Sequence, residues 1–106
     1  MTQISIDAFK KVLDANAHDA SIDFINVCTP DEYAEMHIEG VRSVPLDTLG
    51  AHVHELKDKS AIYIHCRSGM RGMHAMEELK RLGITAELFN MDGGILAWTN
   101  AGFETV

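Results

Sequence analysis

The sequence predicts an α/β fold in which helices cover both faces of a central, mainly parallel five-stranded sheet, and three observations lead there. Five short apolar runs, at residues 4–6, 24–27, 43–44, 62–65 and 86–89, read as strands. The segments between them carry helical spacing, so strands and helices alternate along the chain. No repeat, low-complexity tract or linker interrupts the 106 residues, so residues 1–106 read as one domain with a single core.

Each element has a local reason. After the first run, Ala8, Phe9, Val12 and Leu13 form one helical face. The second run ends at Val27, within Asn26-Val27-Cys28. Thr29-Pro30-Asp31-Glu32 follows with an N-cap residue, a proline at the first helical position and acids in the first turn. Pro45 closes the short third run, and residues 47–56 read as a short helix. The fourth run ends at Cys66, and the loop Arg67-Ser68-Gly69-Met70-Arg71 follows directly. Met73, Met76, Leu79 and Leu82 then form a core-facing stripe, stopped by Gly83 as a C′ glycine. After the fifth run, Asp92-Gly93-Gly94 reads as a turn, without the strand–glycine–helix context of a dinucleotide site. Residues 94–100 form the last helix and carry Trp98, whose indole N–H needs a partner.

Composition narrows the function. The net charge of −7, from 9 basic and 16 acidic residues, argues against nucleic acid and anionic membranes as partners, because both select a basic footprint. No apolar stretch approaches the roughly 20 residues of a membrane span. The N-terminus lacks the basic flank and apolar centre of a signal peptide. Two cysteines in such a chain imply a reducing compartment, with the cytoplasm as the expected location.

Cys66 is the most informative residue. A cysteine between the end of a buried strand and the start of a helix faces the unpaired amides of the helix's first turn, which favour an anion. A free thiol titrates at about 8.5, and helix N-termini or adjacent cations bring that to roughly 3.5–7.5. Arg67 and Arg71 are the expected cations here, able to attract a small anion in an otherwise acidic protein. The amides of residues 67–71 can form an anion-binding nest, with Gly69 where the loop turns tightly. In sheets of this kind ligands bind outside the carboxyl ends of the strands, where Cys66 lies.

The six histidines do not read as a metal site: His52 and His54 are two apart and share no helix face, and no zinc-like spacing exists. No metal or cofactor is expected. His37 reads as a structural hydrogen-bonding residue. Strand alternation turns His65 to the face opposite Cys66. Met70, inside the loop, reads as an adaptable apolar rim.

Taken together, these segments resemble the rhodanese-like (sulfurtransferase) family across nearly the whole chain. The resemblance is carried by Ile25-Asn26-Val27 with Thr29-Pro30-Asp31-Glu32-Tyr33, by His37-Ile38-Glu39-Gly40-Val41, and by Val44-Pro45-Leu46. It continues through Tyr63-Ile64-His65-Cys66-Arg67-Ser68-Gly69-Met70-Arg71, Leu88, and Asp92-Gly93-Gly94-Ile95-Leu96-Ala97-Trp98. It implies a rhodanese-like domain with Cys66 as nucleophile and Arg67, Ser68, Gly69, Met70 and Arg71 as the substrate-binding loop. It further implies a small anionic sulfur donor such as thiosulfate, a cysteine persulfide, and a thiol, cyanide or protein acceptor.

Loop length bears on the electrophile. Phosphatases that form a phosphocysteine use Cys-x5-Arg, whereas here the sixth residue beyond Cys66 is Gly72 and Arg71 is the fifth. The short cradle suits a sulfur atom better than a phosphate, which disfavours a phosphatase or arsenate reductase. A non-catalytic binding module on the same scaffold is the other alternative, and it has no need of a cysteine in a cationic loop. One departure stands out. Family members commonly have Asp-Val-Arg where this chain has Asn26-Val27-Cys28, so the acid–base pair that ties that corner is expected to be missing. Cys28 lies at the same side of the sheet as Cys66. It reads either as a second thiol that takes sulfur from Cys66 or as a small residue filling space.

Overall fold

The computed structural model describes residues 1–16 and 18–106. Five strands, β1 (Thr2–Ile4), β2 (Ile22–Asn26), β3 (Arg42–Ser43), β4 (Ala61–His65) and β5 (Glu87–Met91), form one sheet of order β1-β5-β4-β2-β3. Every pairing is parallel. The helices are α1 (Ile6–Asn16), α2 (Pro30–Glu35), α3 (Val53–Leu56), α4 (Met70–Arg81) and α5 (Gly94–Asn100), with a 3-10 helix over Leu46–His52.

Strand alternation builds two apolar clusters, one on each face. Ile25, Val27, Ile62, Ile64, Cys66 and Leu88 pack against Leu49, Leu56 and the α4 residues Ala75, Met76 and Leu79. Phe24, Tyr63 and Met91 pack on the other face against Phe9 and Leu13 of α1 and Ile95 and Trp98 of α5. The Trp98 indole N–H donates to the Glu104 carbonyl at 2.9 Å. The expected parallel α/β sheet with helices on both faces is therefore what forms.

Local boundaries differ from expectation for identifiable reasons. The first strand covers residues 2–4 rather than 4–6, because the Ser5 hydroxyl accepts from the Ala8 amide and starts α1 at Ile6. The fifth runs on to Met91, since Asn90 and Met91 pair with β1. Met73 is a correction. It is 41% exposed, and the buried side of α4 is Gly72, Ala75, Met76 and Leu79. Small residues at Gly72 and Ala75 let α4 lie close on the sheet, and that rotates the helix away from a methionine stripe.

The topology also places a crevice. From β2 the chain moves outward to β3, while from β4 it moves the opposite way to β5, and β2 and β4 are neighbours. The carboxyl ends of β2 and β4 therefore flank a topological switch point, where open α/β sheets bind ligands. Cys28 follows β2, and Cys66 follows β4. Among the described residues no helix is long and apolar enough to cross a membrane.

Candidate active site

Cys66 leaves β4 with no exposed surface. The Gly69 amide donates to its Sγ at 3.0 Å and the Gly72 amide at 3.3 Å. Gly69 is the N-cap of α4 with φ 106°, a backbone region that disfavours any residue with a Cβ. No side chain caps this helix. Its first-turn amides are thus left free to meet the sulfur, and a helix of 12 residues adds its dipole.

The loop carbonyls are held from the opposite side. The Ile95 amide donates to the Cys66 carbonyl at 2.9 Å and the Leu96 amide to the Arg67 carbonyl at 3.1 Å. Both amides belong to the first turn of α5. The contact is close: a Cβ on Gly94 would stand 2.4 Å from the Arg67 carbonyl oxygen. The diglycine therefore does more than turn the chain, because it lets α5 dock on the backbone of the Cys66 loop. His65 adds a hydrogen bond from Nδ1 to the Cys66 carbonyl at 3.1 Å and lies edge-on to Phe9, on the face opposite the sulfur as expected. Burial pushes the imidazole down to about 4, so it is neutral.

Among the residues named from sequence, Gly69 contributes its amide, while Arg67, Ser68 and Met70 form an exposed rim. Met70 is 61% exposed, in keeping with an apolar rim. No carboxylate lies within ion-pair distance of Arg67 among the described residues. Arg71 departs from expectation as an anion-attracting cation. Its Nη1 and Nη2 donate to Glu32 Oε1 and Oε2 at 2.6 and 2.9 Å, a bidentate pair that largely neutralises its charge.

Glu32 has two partners at once. It completes a capping box on α2, in which Glu32 Oε1 accepts from the Thr29 amide at 2.9 Å and the Thr29 hydroxyl accepts from the Glu32 amide at 3.2 Å. The Arg71 guanidinium, followed by the Thr29 amide, holds the Glu32 carboxyl at about 2. This pair joins α2 to the Cys66 loop across the crevice. The corner where an acid–base pair was missed from the sequence is held differently: Asn26 Oδ1 accepts from the Cys28 amide at 2.9 Å. His37 bonds the Tyr33 carbonyl through Nδ1 at 2.8 Å and stacks on the Tyr33 ring, the structural role expected of it.

Cys28 and Cys66 are both free and buried. Burial pushes the Cys28 thiol up to about 11, so it is protonated at neutral pH. A pocket of about 20 Å³ beside the loop is lined by Cys28, Glu32, Glu35, Met36, Arg67 and Ile95.

Reasoning from sequence missed three residues. Glu32 was read only as a helix-start acid. Gly72 was noted only as the wrong residue for a phosphatase arginine. Asn90 was not singled out at all, although a lone amide in an apolar run was a usable signal.

The comparisons with known proteins agree with this fold. The rhodanese-like domain model matches residues 8–101. YrkF of Bacillus subtilis, a candidate sulfur carrier protein, is 34% identical over 97 residues, covering 92% of this chain and 50% of its own. The match spans 50% of YrkF and 58% each of YqhL of Bacillus subtilis and slr1261 of Synechocystis, so the chain covers little more than half the length of these relatives. Among solved structures, thiosulfate sulfurtransferase from Pseudomonas aeruginosa superposes with a TM-score of 0.82 at 23% identity, over 99% of this chain and 19% of that one. A rhodanese-related protein from Thermoplasma volcanium gives 0.81 at 22% identity, over 100% and 98%. With a cysteine at the end of the central strand, a glycine-turned loop cradling its sulfur, and a family match across most of its length, the chain belongs to the rhodanese-like domain family.

Proposed function

We propose that residues 1–106 form one sulfurtransferase domain in which Cys66 carries sulfur as a persulfide. The Cys66 thiolate attacks the outer sulfur of an anionic donor such as thiosulfate. An S–S bond forms to Cys66 while the donor's own S–S bond breaks, and its electron pair leaves with sulfite. An acceptor thiolate, cyanide or a protein thiol then attacks the terminal sulfur and releases Cys66 as thiolate. No outside oxidant or reductant is consumed.

The observation that carries this reading is the convergence of two amides on one buried sulfur. Such donors stabilise negative charge on sulfur as an oxyanion hole does on oxygen. Arg67, a rim cation with no carboxylate at ion-pair distance among the described residues, supports an anionic donor. The protonated Cys28 supports a space-filling role over a second reactive thiol at rest. Because the sulfur is fully covered and the adjoining pocket is about 20 Å³, donor entry is expected to displace the exposed rim of Arg67, Ser68 and Met70. A reducing compartment such as the cytoplasm suits this cycle.

The same burial favours a second reading, a non-catalytic module on the rhodanese-like scaffold. Intact-protein mass spectrometry after incubation with thiosulfate separates the two. The transferase reading expects one added sulfur atom on Cys66 of the reduced protein. No adduct with thiosulfate or with low-molecular-weight persulfides leaves the binding module standing.

A further inference from the structure

Asn90 lies on β5, between β1 and β4, with no exposed surface. A buried amide in the middle of a sheet is costly unless its polar atoms are used. Its Nδ2 donates to the Gly69 carbonyl at 3.0 Å, and that acceptor identifies which end of the amide is nitrogen. The other end, Oδ1, is buried and has no hydrogen-bond partner among the described residues. It lies against Gly72: a Cβ built there would stand 1.9 Å from Oδ1. One side chain therefore touches both residues whose amides reach Cys66 Sγ, by a hydrogen bond to Gly69 and by steric contact with Gly72.

We propose that Asn90 is the positioning residue of the Cys66 loop, its amide setting Gly69 and Gly72 so that both N–H groups converge on the sulfur. The proposal rests on Cys66 being the sulfur-carrying residue. It explains why a strand with Leu88 and Met91 on its buried positions also holds an amide with an unpaired oxygen. The nitrogen anchors the N-cap carbonyl of α4. The flat Oδ1 end fills the space that Gly72 leaves open, which stops the first turn of the helix from sliding toward the sheet. Asn90 touches neither donor nor acceptor, so it acts only through the backbone of the loop. A shift in loop geometry near 1 Å can cost about a hundredfold in rate, which makes such an anchor matter for catalysis.

The test combines NMR with kinetics. In the wild-type protein, scalar coupling across the hydrogen bond from the Asn90 side-chain amide to the Gly69 carbonyl is expected, and its absence overturns the proposal. Asn90→Asp places a carboxylate oxygen against the Gly69 carbonyl, and Asn90→Ala leaves a void. Both are expected to move the Gly69 and Gly72 amide proton shifts and to lower kcat about 10- to 100-fold. The KM for thiosulfate should stay within about twofold, since Arg67 is untouched. Folded variants with unmoved Gly69 and Gly72 shifts, or with kcat within about twofold of wild type, overturn it. If both variants unfold, the wild-type coupling decides alone. A wild-type protein that takes no sulfur on Cys66 sinks the transferase reading instead, and the coupling still reports on the placement of the loop.

Discussion

Cys28 and Cys66 both lie just past the carboxyl end of a strand at the switch point, Cys28 after Val27 beyond β2 and Cys66 directly after β4, and their surroundings are opposite. Each follows a strand at the switch point, each is buried, and each precedes a helix. The helix after Cys28 has a side-chain cap: the Thr29 hydroxyl accepts from the Glu32 amide and the Glu32 carboxylate from the Thr29 amide, so those two amides are not turned to a sulfur. The helix after Cys66 begins at a glycine without a side-chain cap, and its amides go to Sγ. The residue ahead of each differs too. Val27 precedes Cys28, whereas His65 precedes Cys66 and bonds its carbonyl. A strand-to-helix corner is therefore not enough to bring amides onto a sulfur. The helix terminus must also be left without another partner, because each N–H can satisfy only one strong acceptor.

Substitutions can break or sharpen this contrast. The largest effect belongs to Cys66→Ser, expected to lower sulfur transfer by roughly a thousandfold or more while the circular dichroism spectrum and thermal midpoint stay close to wild type. Retained turnover would place the nucleophile elsewhere, with Cys28 the first residue to test.

Next in size is the pH dependence from His65. Its imidazole falls from 6.5 to about 4 on folding, so the unfolded chain binds more protons in between. Stability is complete above pH 6.5 and declines as pH falls toward 4, by on the order of 2–3 kcal/mol. In His65→Phe this decline should vanish from denaturant midpoints measured across that range, and a slope equal to wild type would assign the titration to another group.

Glu32→Gln attacks the cap and the Arg71 pair together, with an expected loss of roughly 1–2 kcal/mol at neutral pH. Since the Glu32 carboxyl is held at about 2 against 4.5 when free, its contribution is full above 4.5 and fades as pH falls toward 2. Guanidinium unfolding at neutral pH and at low pH checks this, and the variant should converge on wild type in acid.

The smallest effect is expected for Cys28→Ala, below roughly 1 kcal/mol in stability and within about twofold in turnover. A large loss of activity with the fold intact would revive Cys28 as a second thiol.

Much of the fold was legible because apolar periodicity and punctuation are local signals. The strand ending at His65, the proline-started helix at Pro30 and the glycine stop at Gly83 follow from short windows of sequence, whereas the second strand, expected over 24–27, spans Ile22–Asn26. Cys66 was legible for the same reason, since a buried run, a glycine loop and a helix stand side by side. The boundaries that slipped depend on distant partners, as where β5 reaches Met91 only because β1 lies beside it. Met73 slipped because the phase of α4 is set by how closely Gly72 and Ala75 approach the sheet.

By itself, the sequence determined the alternation of elements, the nucleophile candidate and the length of its loop, since each depends on residues adjacent in the chain. Only the tertiary structure decided that Arg71 is tied to Glu32, that α5 docks on the loop backbone through Gly94, and that Asn90 anchors Gly69. Those contacts join residues about 20 to 40 positions apart in the chain, as in the pairs Glu32–Arg71 and Gly69–Asn90. The reason is physical: a side chain's charge and conformation are visible in sequence, but its partner is chosen by whichever strands the sheet brings together.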